Sequence, residues 1–170
     1  MIVCAAFAAS LAQVDNVLSK SATIPMMPGV TVVRNGRTLP TTGEMTTLMH
    51  CDQVSISKEG VCMITPDNSI VNFHAGSKFW IDDDQKGREE YVLTAGEFDI
   101  WSCPHDASED GQQVAFRTCC IRTWYPDQMD DIMLHIKVVG HQMCEATAKS
   151  GIVYRQQTKG RKGYGPIKTL

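Results

Sequence analysis

The stretch GVCMITPDNSIVNF, residues 60–73, contains the pattern on which the predicted fold depends. Two short runs of mainly apolar residues, Gly60–Thr65 and Ile70–Phe73, stand on either side of Pro66–Ser69. Proline, aspartate, asparagine and serine favour turns, whereas valine, isoleucine and phenylalanine favour strands. The stretch therefore predicts two strands joined by a tight turn.

Predicted short strands and turns alternate in the same way on both sides of residues 60–73. Asn35-Gly36 follows the first strand and favours a tight hairpin turn, because both residues tolerate a positive φ. Strands spaced about 8–12 residues apart with turn residues between them are typical of antiparallel β-proteins. Further strands are predicted at Gly29–Arg34, Gln53–Ser57, Lys78–Ile81, Tyr91–Leu93 and Glu97–Trp101, the last two on either side of Thr94–Gly96.

The second half of the chain is less regular. Val114–Trp124 predicts one long strand, and Ile132–Val139 predicts a strand or a helix, with its β-branched residues favouring a strand. Gly140–Ser150 has room for one helical turn, and Gly151–Arg155 predicts a last strand. The predicted fold class is mainly β, an antiparallel sandwich or β-roll with an N-terminal helix and an extended basic C-terminal tail.

Length and composition exclude several classes of protein. The chain has 170 residues, of which 43% are hydrophobic and 21% charged, as expected for a globular domain and not for a disordered chain. Sixteen basic and nineteen acidic residues give a net charge of −3, which argues against direct readout of nucleic acid. No run approaches the ~20 apolar residues of a membrane span.

The first residues are almost entirely apolar and allow three interpretations: a retained helix, a cleaved secretory signal, and a frayed or membrane-surface segment. A retained helix is indicated by apolar residues spaced three and four apart, which fall on one stripe. A cleaved secretory signal is the second interpretation, with Ser10–Ala12 as the cleavage site, although no basic residue precedes Lys20. The stripe consists of Cys4, Phe7, Leu11, Val14 and Leu18.

These patterns divide the chain into an N-terminal apolar helix or arm at residues 1–22, a β-rich domain at 29–155 and a basic tail at 156–170. The tail contains lysine and arginine but no acidic residue, so it is suited to docking on an acidic partner surface. We predict that the stripe and the tail bind protein partners. The partner-binding residues of the tail region are Arg155, Lys159, Arg161, Lys162 and Lys168.

Turn-and-strand motifs recur from Leu39 to Trp101, and Val114–Thr118 continues the series. They are Thr42-Gly43-Glu44, Asp52–Ile56, Gly60–Ile64, Asp67–Val71, Gly76–Phe79 and Val92–Phe98. In this order they resemble the FecR-type β-domain over about residues 39–118, with Asn68 where that family usually has glycine. The resemblance implies a non-catalytic β-domain used for protein contacts. An exported periplasmic domain that senses or relays a signal is the alternative role.

Several cysteines and histidines are close together in the sequence, as in zinc-binding proteins. None of the groups has the paired-ligand spacing of a standard zinc motif, and adjacent cysteines in a strand point to opposite faces. We therefore predict no metal site and no cofactor. The groups are Cys103-Pro-His105, Cys119-Cys120 and His141-Gln-Met-Cys144.

Nucleophilic catalysis would need a cysteine together with a base and an orienting acid. The candidates for base and acid are His135 or His141 with Asp130 or Asp131. Because no sharp nucleophile turn and no oxyanion-forming glycine motif accompanies them, we predict no catalytic residue and no enzyme activity.

The seven cysteines have no disulfide spacing, which favours reduced thiols. Cys62 and one of the pair Cys119 and Cys120 are expected in the core, because free cysteine behaves as a small apolar residue.

Taken together, these patterns favour a non-enzymatic structural subunit that acts through protein–protein contacts in a homo- or hetero-oligomeric assembly. A virion or phage-particle component is the setting that unites two arms, a retained N-terminus and reduced cysteines. The expected location is a virion or a cytoplasmic assembly, and the periplasm belongs to the FecR-like alternative.

Overall fold

The structure is a computed structural model that describes residues 21–83, 89–102, 114–119, 121–124, 132–139, 144–150, 154–157 and 164–166. Within these ranges every regular element is a β-strand, so the prediction of a mainly β fold is confirmed. The strands are β1 (Thr23–Pro25), β2 (Val30–Arg34), β3 (Arg37–Thr38), β4 (Met45–Thr47), β5 (Gln53–Ile56), β6 (Val61–Ile64), β7 (Ile70–Phe73), β8 (Lys78–Asp83), β9 (Glu89–Ser102), β10 (Ala115–Arg117), β11 (Ile121–Trp124), β12 (Ile132–Val138), β13 (Cys144–Ser150), β14 (Tyr154–Gln157) and β15 (Tyr164–Pro166).

All of these strands belong to one hydrogen-bonded sheet that curls around the long strand β9. The first part of β9 pairs with β8 and β10, and its second part pairs with β7 and β12. The sheet therefore has two halves that share β9. Half-sheet I has the order β4-β1-β6-β7-β9-β12-β13, and half-sheet II has the order β3-β2-β5-β8-β9-β10-β11-β14-β15. Every pairing is antiparallel except β9 with β10.

The strand β9 bends at Gly96, where the two halves meet. Gly96 has a φ of +95°, and the register with β8 shifts so that Lys78 lies opposite Ala95 but Phe79 opposite Leu93. The prediction of two strands separated by a turn at Thr94–Gly96 is wrong. A bulge and a left-handed glycine let one strand of 14 residues change direction without leaving the sheet.

The core lies between the two half-sheets and is filled by alternate residues of both. Phe73 of half-sheet I stacks on Phe79 of half-sheet II with ring centroids 4.9 Å apart. Phe98 meets the edge of the Phe73 ring, and Tyr91 connects Phe79 with Phe116 further along half-sheet II. Burying these rings and the surrounding aliphatic side chains is the main stabilisation of the fold.

The two turns predicted most directly from the sequence have the expected backbone. Asn35 and Gly36 have φ of 51° and 75°, and the chain reverses there between β2 and β3. The second turn, residues 65–69, connects β6 with β7, and Asn68 has a φ of 60°. Asparagine takes this left-handed conformation more readily than most residues, so it suits this position of the turn.

One prediction for the second half is wrong, and another is only partly addressed because residues 140–143 lie outside the described residues. Val114–Trp124 is two antiparallel strands, β10 and β11, because the chain reverses after Thr118, whose amide donates to the carbonyl of Ile121. Residues 144–150 form the strand β13, whose pairing with β12 outweighs any local preference for a helical turn. The choice between strand and helix for Ile132–Val139 is settled in favour of a strand.

A buried ion pair fixes the start of β5. Asp52 is fully buried, and its carboxylate accepts hydrogen bonds from Arg34 Nε at 2.9 Å and Arg34 Nη2 at 2.7 Å. It also accepts the backbone N–H of Met49 at 2.8 Å. The hydrogen bond from Arg34 to Asp52 raises the pKa of Arg34. Asp52 thus joins β2, β5 and the segment between β4 and β5.

The two predicted arms fall mostly outside the described residues. Only Ser21 and Ala22 of the N-terminal arm are described, so the prediction of a helix there is not addressed. In the tail region, the backbone at Tyr154–Gln157 pairs with β11, and Tyr164–Pro166 pairs with β14. Over the described ranges there is no helix with the length and hydropathy needed to cross a membrane.

Candidate functional site

The outer face of half-sheet I carries a row of polar side chains in register across neighbouring strands. Phe98 and Ile100 of β9 point into the core, so Asp99 between them points outward. The cross-strand partners of Asp99 are Asn72 on β7 and His135 on β12. The row continues to Cys62 on one side and Thr147 on the other.

Asp99 binds two histidines, and we call His74, Asp99 and His135 the Asp99 cluster. Asp99 Oδ2 lies 2.8 Å from His74 Nε2, and Oδ1 lies 2.8 Å from His135 Nδ1. The two imidazole rings meet edge to face with centroids 6.4 Å apart. Although partial burial opposes the change, hydrogen bonds from the two histidines lower the pKa of Asp99.

Charged residues surround the Asp99 cluster. Glu59 Oε2 lies 3.3 Å from the second ring nitrogen of His74, and Lys149 Nζ lies 4.0 Å from Asp99. In the next row Glu97 pairs with Lys137, and this hydrogen bond lowers the pKa of Glu97 and raises that of Lys137. The cluster therefore ties together β7, β9, β12 and β13 through polar contacts.

The chemistry available to the Asp99 cluster is limited. Both oxygens of Asp99 already accept hydrogen bonds from imidazole nitrogens. Cys62 lies in the same row, with its Sγ 3.6 Å from Asn72 Oδ1. Among the residues that the structure describes, no three histidine, cysteine, aspartate or glutamate side chains are placed to hold a metal ion. The arrangement is that of a polar contact surface.

An apolar row runs beside the Asp99 cluster on the same outer face. It consists of Ile64, Ile70, Trp101 and Met133, which are cross-strand partners on β6, β7, β9 and β12. Ile70 is 43% exposed, and the other three are half-buried. We call these four residues the apolar row.

The outer face of half-sheet II has a different character. Trp80 of β8 is 38% exposed, and its row continues through the buried Val92 to Arg117 and Arg122 on β10 and β11. Next to this row, β8 and β9 place carboxylates directly opposite each other. Asp82 faces Glu90 on this outer face, whereas Asp83 faces Glu89 on the opposite face of the sheet, and we call these four residues the acidic cluster.

Two arginines partly neutralise the acidic cluster. Arg117 lies 2.7 Å from both Asp82 Oδ2 and Glu90 Oε2, and Arg122 Nε also binds the almost fully buried Glu90. Glu89 accepts the hydroxyl of Tyr91 and the amide of Ala22, yet burial raises its pKa. Like charges opposite each other in a sheet repel, and the two arginines offset this repulsion for the pair Asp82 and Glu90.

The described cysteines occupy the outer part of the fold. Cys51, Cys62, Cys119 and Cys144 form no disulfide with one another, and Cys51 is exposed. The prediction that Cys62 lies in the core is wrong, because the alternation of β6 sends Val61 and Met63 inward and Cys62 to the outer face. Cys119 is likewise half-buried, and Cys144 accepts a hydrogen bond from Thr118.

Most residues that the sequence marks as functional lie outside the described ranges. These include the whole N-terminal stripe, and Arg155 is placed only by its backbone in β14, opposite Thr123. His135, considered as a catalytic base, contacts Asp99 instead. The residues outside the described ranges are Cys4, Phe7, Leu11, Val14, Leu18, Cys103, His105, Cys120, Asp130, Asp131, His141, Lys159, Arg161, Lys162 and Lys168.

Sequence reasoning missed His74 and Asp99. The two residues are 25 positions apart, and only the register of β7 with β9 brings them together. The one usable signal is Asp99 itself, a charged residue between Phe98 and Ile100 in an apolar strand.

Comparison of the chain with protein-family models, with curated proteins and with solved structures finds no match. The FecR-type resemblance therefore stays a prediction.

Proposed function

We propose that the protein is a non-enzymatic structural subunit that acts through protein–protein contacts in an assembly of copies of itself. The observation that carries this proposal is the outer face of half-sheet II. There the exposed Trp80 lies in one row with Arg117 and Arg122, beside the acidic cluster. Tryptophan and arginine are the residue types that contribute most to binding at protein interfaces.

The ion pairs of this face favour binding by holding its side chains in place. Glu90 is only 6% exposed and binds both Arg117 and Arg122. Because these guanidinium groups are already oriented, less side-chain entropy is lost when a partner covers them.

The proposed occupant of this face is the basic tail of a second copy. Asp82 and Glu90 of the acidic cluster bind Arg117 and Arg122 on this face, and the 52% exposed Asp83 adds a carboxylate at the end of β8. The tail beyond β14 adds lysine and arginine without any acid. Opposite charges of this kind orient and attract the partner. The cationic residues that would contact the cluster are Arg155, Lys159, Arg161, Lys162 and Lys168.

A virion or phage-particle component is the setting that we propose for such an assembly. The predicted reduced thiols suit particle assembly in a reducing compartment. Within this proposal the curled sheet is an antiparallel sandwich or β-roll that serves as the rigid body of the subunit.

The experiment compares Trp80→Ala with Trp101→Ala, because each variant removes a partly exposed tryptophan from one of the two outer faces. Self-association of the full chain is measured by light scattering over a range of concentrations. We expect Trp80→Ala to weaken association by about 30-fold, the effect of removing one interface hot spot. Trp101→Ala should leave association unchanged, and thermal unfolding verifies that both variants are folded.

A charge test accompanies the tryptophan test. Replacing the four cations Lys159, Arg161, Lys162 and Lys168 by glutamine should weaken association and reduce its dependence on salt, since screening acts on exposed charges. A chain that is monomeric at every concentration would contradict the proposal. Equal effects of the two tryptophan variants would contradict the choice of face.

A further inference from the structure

We propose that the N-terminal apolar stripe packs along the apolar row on the outer face of half-sheet I of the same chain. The stripe is the set Cys4, Phe7, Leu11, Val14 and Leu18 defined from the sequence. The row is the set Ile64, Ile70, Trp101 and Met133.

The row is a continuous apolar surface on an otherwise polar face. Its members are direct cross-strand partners, so their side chains adjoin across four strands. Thr23 of β1 extends the row by one strand, because it is the cross-strand partner of Ile64. Two residues along the strands from the row, on the same outer face, lie the polar side chains of Asn72, Asp99 and His135. A covering segment must therefore run across the strands to bury apolar side chains and leave the polar ones exposed.

The lengths of stripe and row agree. Strands in a sheet are about 4.8 Å apart, so the row from Thr23 to Met133 spans about 19 Å across five strands. As the helix predicted from the sequence, which rises about 1.5 Å per residue, the stripe from Cys4 to Leu18 would extend about 21 Å. The stripe can therefore cover the whole row without overhanging the sheet.

The chain enters the sheet at one end of the row. Ala22 is fully buried, its carbonyl accepts the amide of Leu48 at 2.8 Å, and its own amide binds Glu89. The next residue, Thr23, is the one that extends the row. Only Ser19–Ala22 separate Leu18 from Thr23, which places Leu18 nearest Ile64 and Phe7 nearest Met133.

Attachment at the end of the row favours the chain's own stripe over that of another molecule. A short connection gives the stripe an effective concentration in the millimolar range at the row. Burial of five apolar side chains against the row supplies the free energy of docking. The row thus replaces a separate partner protein as the surface that buries the stripe, and the docking does not depend on the assembly role of half-sheet II.

The test measures how accessible Trp101 is to a soluble quencher. In a W80F/W124F background Trp101 is the only tryptophan, and acrylamide quenching of its fluorescence reports whether the row is covered. The protein is kept at a concentration where light scattering shows a monomer. We expect weak quenching in the full chain and a severalfold stronger quenching in Leu11→Glu. Gln13→Glu, which adds the same charge away from the stripe, should behave as the parent chain.

A second measurement tests the same contact with substitutions in the sheet and not in the N-terminal segment. Ile70→Glu introduces a charge into the row and should make residues 1–20 sensitive to limited proteolysis. Val139→Glu changes another exposed apolar residue, 47% exposed and outside the row, and should leave the segment protected. Strong quenching of Trp101 in the monomeric parent chain would overturn the proposal. Protection that appears only as dimers form would also overturn it, because the stripe would then come from a second copy.

Discussion

Gly96 is the residue that permits β9 to serve both half-sheets. Its φ is +95°, and a Cβ atom at this position would lie 2.4 Å from the Cα of Ser77. Alanine would add backbone strain and a clash with main-chain atoms that no side-chain rotation can relieve. We predict that Gly96→Ala lowers the free energy of unfolding by about 3 kcal/mol or more, measured by denaturant titration.

Gly76 provides the matched control for this prediction. It also has a positive φ, +88°, but a Cβ atom there would meet nothing within 4 Å. Gly76→Ala should therefore show only the cost of the left-handed backbone, about 1–2 kcal/mol. If the two variants lose the same stability, the close approach of Gly96 to Ser77 is not what holds the bend.

The Asp99 cluster acts at the level of elements, because it ties β7 and β12 to β9. The pKa of Asp99 is lowered in the folded protein, so its carboxylate stabilises the fold above the unfolded pKa of about 3.9. This contribution is lost as the pH falls through the folded value. We predict that Asp99→Asn lowers the melting temperature at pH 7, and that the difference from the parent chain shrinks below about pH 4.

Asp83→Asn is the control for Asp99→Asn. Asp83 is at the end of β8, is 52% exposed and pairs with His50 at 3.4 Å, so its exchange should have little effect at any pH. Melting curves from pH 3 to 8 decide the question. A difference for Asp99→Asn that stays constant over this range would show that the carboxylate charge is not the stabilising feature.

The sequence predicts local elements well because their causes are local. The hairpin from Val61 to Phe73 depends on alternation and on turn residues within its own few positions. The bend of β9 depends on Ser77, which approaches Gly96 from another strand. His74 and His135 meet Asp99 only through the register of three strands. Such long-range pairings leave no pattern in a short window of sequence.

At the scale of the whole molecule, sharing β9 makes the two half-sheets one cooperative unit. Neither half can lose this strand without exposing the rings of Phe73, Phe98 and Tyr91. We predict a single thermal transition with equal calorimetric and van't Hoff enthalpies. Trp80 and Trp101 lie in different halves, so single-tryptophan variants should report the same midpoint. Two separate midpoints would show that the halves unfold independently.

The mainly β fold class was predictable for the whole domain, whereas the order of the strands was not. Short runs of strand-forming residues occur from β2 to β12, so composition and the regular spacing of strands and turns are enough to predict the fold class. The order requires pairings such as β2 with β5, which encloses β3 and β4 in the sequence, and β5 with β8, which encloses the hairpin of β6 and β7. These pairings depend on how the apolar faces combine in three dimensions.

The position of β9 in the chain also affects how the protein is made. When the ribosome has synthesised β1–β8, their strands belong to two separate groups, β4-β1-β6-β7 and β3-β2-β5-β8. The strand that connects these groups is complete only at Ser102, and half-sheet I then still lacks β12. The nascent chain therefore displays unpaired strand edges and apolar faces over much of its synthesis. Such chains fold slowly and are typical clients of chaperones, which makes expression yield sensitive to chaperone supply.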